Sequence, residues 1–210
     1  MIKNLITLGD SWVYGDELSE EHRQTHSFPA LIANHFGLKL TNLGFNGESQ
    51  QSSIWSMLWW IEQQFDPDSL VLLALTQSWR TSWFRASHAH APDPWSAHVN
   101  IVSPFNDEKC PELKKLHVSV SACDTLDRYT RQQTLFFFDG VCHRHGLPVR
   151  YFDLYPNSDK FFGLNHVYPG ENAQTWVGNN IRKRGHPDEN GHMIIAQKLI
   201  TCIESAKIIE

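Results

Sequence analysis

Leu5-Ile6-Thr7-Leu8-Gly9-Asp10-Ser11-Trp12-Val13-Tyr14-Gly15 is the stretch on which the reading of this chain turns. An apolar run ends on a glycine, and a serine follows two residues later. If residues 4–9 form a first β-strand, Ser11 stands at the C-terminal edge of a sheet, where open α/β folds bind their ligands. A serine hydroxyl alone is a weak nucleophile. To attack an acyl carbon it needs a base to take its proton, and donors for the oxyanion that forms. The plain alternative for Ser11 is a helix N-cap. Asp10 is read as bonding backbone amides across the sheet edge, or as a substrate contact beside the serine.

Outward from this turn, the hydrophobic period alternates between strand and helix. Residues 27–37 read as a helix, with Ser27 as N-cap, Pro29 in the first turn and Gly37 as the stop. Leu38 to Leu43 alternates as a strand. Ser49 to Phe65 reads as a long helix with Ile54, Leu58, Ile61 and Phe65 on one face. Leu70 to Leu75 is almost purely apolar, as in a strand buried on both faces of a parallel sheet. Leu126 to Gly146 is a helix carrying Phe136, Phe137 and Phe138. Pro148 to Phe152 is a strand, and Met193 to Ile203 a C-terminal helix. This order predicts a single α/β domain over residues 1–210, a parallel sheet covered by helices on both sides. Long loop insertions at about 79–124 and 155–185 both follow strand ends and are placed to wall a site above Ser11.

Composition narrows the function classes. The chain has 210 residues, 41% hydrophobic and 20% charged, with a formal charge of −5. That is ordinary for a globular domain and gives no reason to expect nucleic acid. No apolar stretch approaches the ~18 residues of a membrane span, and Met1-Ile2-Lys3-Asn4-Leu5 runs straight into the first strand without a signal-peptide pattern. The expected setting is cytoplasmic or virion-associated, with no membrane partner. Cys110, Cys123, Cys142 and Cys202 are scattered and read as free thiols, one Cys110–Cys123 disulfide being the alternative. Pairs such as His88 and His90 with His98, or His143 and His145, lack further ligands at matching spacing, so no metal or cofactor is expected. Among eight tryptophans, Trp55, Trp59 and Trp60 read as packing residues. Trp12, Trp79 and Trp83 follow strand ends and are candidates to line a substrate cleft.

The base is sought near the other end of the chain. Gly185-His186-Pro187-Asp188-Glu189-Asn190-Gly191-His192 precedes the last helix, and a histidine followed by proline can be held rigidly over a sheet edge. His192 reads as packed in the helix start. With Gly9-Asp10-Ser11, this block resembles those of the SGNH/GDSL hydrolases, whose terminal block has the form Asp-x-x-His-Pro-x-x-x-Gly-His. The Gly-Asp-Ser-Trp-x-Tyr-Gly form also resembles a subset found in bacteriophage and environmental sequences.

The resemblance implies a flavodoxin-like three-layer α/β/α sandwich and an ester hydrolase. It implies Ser11 as nucleophile and His186 as base. Thr41 to Ser49 is similar to the second block, which implies oxyanion donors at the Ser11 and Gly47 N–H groups. The third block, normally Gly-x-Asn-Asp, is here Thr76-Gln77-Ser78-Trp79, so Gln77 or Thr76 stands in for the missing asparagine. The acid three residues before the histidine is replaced by Lys183. Asp153, after the last predicted strand, is the candidate acid by position, Asp188 a second, and a Ser-His dyad the minimal description. A short acyl ester of a saccharide, or another small ester, is the expected substrate. A catalytically degenerate glycan-binding or structural domain, and an acyltransferase using the same residues, are the rival functions.

Overall fold

The computed structural model describes residues 1–77, 81–84, 98–101, 124–156, 165–168, 170–182 and 185–209; for 81–84, 98–101 and 124–131 the backbone course is described. Strands β1 (Asn4–Leu8), β2 (Lys39–Asn42), β3 (Ser69–Leu75) and β6 (Val149–Asp153) form one sheet in the order β2-β1-β3-β6. Every pairing in it is parallel. β4 (Thr81–Phe84) and β5 (His98–Ile101) form a separate antiparallel pair.

β3 is buried at every position, because both of its faces are covered. Leu70, Leu72 and Ala74 enter one core, with Leu5 and Phe152. Helices α3 (Phe28–Phe36), α6 (Ala173–Val177) and α7 (Glu189–Ser205) cover that face. Val71, Leu73 and Leu75 point the other way, onto α4 (Gln50–Gln64) and α5 (Asp124–Arg144). Each fully buried leucine contributes roughly 1.5–3 kcal/mol by leaving water. The result is the expected three-layer α/β/α sandwich, with a parallel sheet of flavodoxin-like order.

The face of α4 and the start of the last helix differ from expectation. On α4 the buried positions are Gln50, Ser52, Ser53, Ser56, Met57 and Trp60, not the face of Ile54, Leu58, Ile61 and Phe65. Small serines let the helix lie close to the sheet, and the aliphatic residues flank the contact half-exposed. Phe138 is buried, while Phe136 and Phe137 are exposed. The last helix starts at Glu189 rather than Met193, because the Asp188 carboxylate accepts the Gly191 N–H as its N-cap. Two short helices, α1 (Ser11–Tyr14) and α2 (Glu20–His26), follow β1 directly. Among the described cysteines, Cys142 and Cys202 are free thiols; Cys110 and Cys123 lie outside the described residues.

Candidate active site

The turn after β1 is built on Asp10, which is fully buried. Its Oδ1 accepts the Trp12 N–H at 3.0 Å and caps α1. Its Oδ2 accepts the Thr76 hydroxyl at 3.1 Å and the Tyr155 hydroxyl at 2.9 Å. One carboxylate therefore ties together the segments leaving β1, β3 and β6, directly beneath Ser11. Three expectations change as a result. Asp10 is a structural knot rather than a substrate contact. The Thr76 hydroxyl donates to Asp10 and is buried, so it is not an oxyanion donor. Trp12 is 2% exposed and packs edge-on against Tyr155, because the first turn of α1 directs it into the core instead of a cleft. Ser11 itself, the first residue of α1, is not the cap.

The second loop is drawn to the same edge by Asn42. The Asn42 amide donates to the Val13 carbonyl at 2.9 Å, and its carbonyl oxygen accepts the Gly44 N–H at 2.9 Å. The Phe45 N–H donates to the Gly9 carbonyl. A Cβ on Gly44 would lie 2.8 Å from Val13 and from the Tyr14 nitrogen, so only glycine permits this approach. The following Phe45–Glu48 turn closes through Glu48 N–H to Phe45 O, with Gly47 at φ 74°. That conformation suits glycine.

The third contribution comes from the loop before α7. Its Pro187 is buried, and residues 181 and 187 pair as an antiparallel bridge. A Cβ on Gly191 would fall 2.5 Å from the Asn180 carbonyl. This close packing seats the loop on the helix start. Behind it, fully buried His192 accepts the Phe28 N–H through Nδ1 and stacks on the Phe28 ring.

These segments converge on His186. Its Nε2 lies 2.9 Å from Ser11 Oγ. Its Nδ1 lies 3.3 Å from Glu17 Oε1. Asp16 Oδ2 stands 3.8 Å from Nε2. The side chains of His186 and Glu17 are 17% and 14% exposed, so both are largely shielded from water. Asp153 does not face His186: it sits 3.0 Å from His166 Nε2, with the two side chains 10% and 3% exposed. At the end of β6 its carboxylate is engaged by a second histidine. Asp188 is occupied as the cap of α7. Glu17 is the residue that sequence reasoning missed; the signal was an acidic pair, Asp16-Glu17, immediately after the nucleophile turn.

Against models of protein families the chain matches none, and no curated protein sequence matches it. Solved structures do resemble it. The psychrotrophic esterase EstA from Pseudoalteromonas sp. matches over 97% of each chain at 13% identity and TM-score 0.57. The acetylxylan esterase Axe2 from Geobacillus stearothermophilus covers 95% of this chain and 93% of its own, at 11% identity and TM-score 0.55. A lipolytic protein of the G-D-S-L family from Desulfitobacterium hafniense matches at 10% identity and TM-score 0.53, covering 95% of this chain and 98% of its own. The chain has the SGNH-hydrolase fold.

Set in the SGNH frame, Ser11, the Gly44–Gly47 loop and His186 fall at one edge of the sheet. Gln77, in the third block, is half-buried just past β3. Trp79 and Lys183 lie outside the described residues, as does the side chain of Trp83. Below the second block Glu48 is fully buried, with Oε1 accepting the Ser56 hydroxyl at 3.0 Å. Burial pushes its carboxyl well above the usual carboxylate range, the Ser56 hydroxyl opposes this, and the Asp10 charge adds to it. Glu48 is thus a buried carboxyl directly below the loop that carries Gly47. Among the described residues no three His, Cys, Asp or Glu side chains gather to hold a metal ion, and no helix is long and apolar enough to cross a membrane.

Proposed function

We propose that the protein is a serine ester hydrolase that works through an acyl-serine intermediate on a short acyl ester of a carbohydrate. The single observation that carries this is the 2.9 Å contact between Ser11 Oγ and His186 Nε2, with a carboxylate on the opposite ring nitrogen. With the proton on Nδ1, Nε2 has a free lone pair for the serine proton. Ser11 Oγ attacks the ester carbonyl carbon while His186 takes its proton. The carbonyl oxygen becomes an oxyanion, held by the N–H groups of Ser11 and Gly47 with the Gln77 amide beside them. Collapse expels the alcohol, which receives the proton from His186. Water then attacks the acyl-serine, again with His186 as base, and releases the acid.

Two further points support the reading. Neither the Ser11 nor the Gly47 N–H meets an acceptor among the described residues, as donors reserved for a transient oxyanion require. The fold is shared with proteins named as esterases, one of them an acetylxylan esterase, which favours a saccharide acetyl ester as substrate.

The test uses p-nitrophenyl acetate and acetylated xylo-oligosaccharides, with a fluorophosphonate probe for Ser11. The intact protein is expected to release acetate and to be labelled at Ser11. Ser11→Ala is expected to lose both, activity falling by on the order of 10³-fold or more. A protein that neither turns over ester nor takes the label would instead be a degenerate binding domain. Transfer of the acetyl group to an added sugar at the expense of free acetate would make it an acyltransferase.

A further inference from the structure

We infer that Glu17, supplied by the nucleophile's own loop, is the acid that orients His186, and that Arg182 locks it in place. This rests on the proposed role of Ser11 and His186 and specifies how the base is held.

Four carboxylates compete for the role and geometry separates them. Asp153 is paired with His166. Asp188 caps α7. Asp16 approaches at 3.8 Å, beyond hydrogen-bond distance and toward the nitrogen that already faces Ser11. Among the described residues Glu17 alone meets Nδ1, at 3.3 Å. An Nδ1–H donating to Glu17 leaves Nε2 unprotonated, and it is Nε2 that must receive the serine proton.

The backbone is arranged to deliver this carboxylate. Glu17 sits at φ 67°, in the left-handed region that non-glycine residues rarely occupy and that persists where the surroundings enforce it. Here they do. The Asp16 N–H donates to the Ser11 carbonyl at 2.9 Å. Arg23 donates to the carbonyls of Gly15 and Leu18 on either side. Arg182 donates from Nη1 to the Glu17 carbonyl at 2.8 Å. The backbone N–H of the same Arg182 donates to the His186 carbonyl at 2.7 Å. One residue therefore grips both partners, the acid through its guanidinium and the histidine loop through its main chain. The acid has moved from the histidine's block to the serine's, so a lysine at position 183 carries no penalty for the chemistry.

Glu17 and Arg182 act through His186, so both are positioning residues, and the test separates positioning from folding. With p-nitrophenyl acetate, Glu17→Gln is expected to lower kcat by on the order of 10²- to 10⁴-fold with KM within about threefold of the parent. Glu17→Asp, which keeps the charge on a shorter arm, should recover part of that loss. Asp16→Asn should stay within about threefold in kcat, and Arg182→Met should lower kcat by on the order of tenfold. Fluorophosphonate labelling of Ser11 should slow in the same order as kcat. Thermal melts of each variant identify any that fail to fold; if Glu17→Gln is among them, the comparison of Glu17→Asp with Asp16→Asn decides. A Glu17→Gln enzyme with near-parental kcat, or Asp16→Asn losing more than the Glu17 variants, overturns the assignment while the Ser11 reading stands. Loss of the Ser11 reading shows separately, as turnover that survives Ser11→Ala.

Discussion

Among the described residues, two largely buried histidine–carboxylate pairs stand at the C-terminal end of the sheet, and they differ in an instructive way. His166 and Asp153 make the shorter and drier contact, 3.0 Å with both side chains nearly buried. His186 and Glu17 are 3.3 Å apart and partly open. Judged by burial or distance, the first pair would be taken for the site. Yet its remaining nitrogen, His166 Nδ1, has no partner among the described residues, whereas the remaining nitrogen of His186 meets a serine hydroxyl. A carboxylate stands beside a ring in both places; only His186 also has a hydroxyl on its far nitrogen, which is what the proposed proton transfer requires.

The largest effect expected from breaking this comparison is on activity. His186→Gln should cost on the order of 10³- to 10⁴-fold in kcat on p-nitrophenyl acetate. His166→Gln should leave kcat within about threefold. It should instead lower the melting temperature by roughly 6–15 °C, since removing one partner of a buried pair costs about 3–5 kcal/mol. A large kcat loss in His166→Gln with its melting point intact would abolish the distinction.

A third histidine sharpens it. His192 is as buried as His166 but carries no carboxylate in hydrogen-bond contact, and burial pushes its pKa down to about 4 against the nearby Asp188 charge. The unfolded chain then binds a proton that the folded protein does not, between about pH 6.5 and pH 4. Stability from this group is full above pH 6.5 and is lost as the pH falls toward 4, by ~3 kcal/mol. Urea midpoints at pH 7.5 and 4.5 should show that drop in the parent and a smaller one in His192→Asn.

The smallest expected effect concerns a carboxylate without a histidine. The raised pKa of Glu48 means that the folded state holds a proton the unfolded chain releases above the ordinary carboxylate range. Its contribution is therefore present at low pH and declines as the pH rises. Glu48→Gln, which copies the protonated form, should raise the urea midpoint at pH 8 and leave it nearly unchanged at pH 4.

Much of this was legible in the residues. The apolar run Leu70–Leu75 marks a strand covered on both faces, and Gly9-Asp10-Ser11 with His186-Pro187 marks two of the three converging loops. What escaped has physical causes. Helices as short as α1 and α2 carry too few residues to show a period. On α4 the hydrophobic period marks the flank of the contact rather than its centre, because the most buried positions are largely serines. Trp12 reads as a cleft residue until the turn of α1 sends it inward. Glu17 escaped because an acid is sought beside the histidine in sequence, while here a carboxylate meets it only in space. A left-handed residue after Gly15 has no one-dimensional signature.

The separation of parts along the chain has a consequence for synthesis. Hydroxyl and orienting carboxylate leave the ribosome together, within one short loop, and the imidazole follows 175 residues after the serine. The grip of Arg182 on both loops comes just as late. On the proposed reading, a nascent chain carries Ser11 without its base until the loop before α7 has been made, and the centre is complete only when α7 docks.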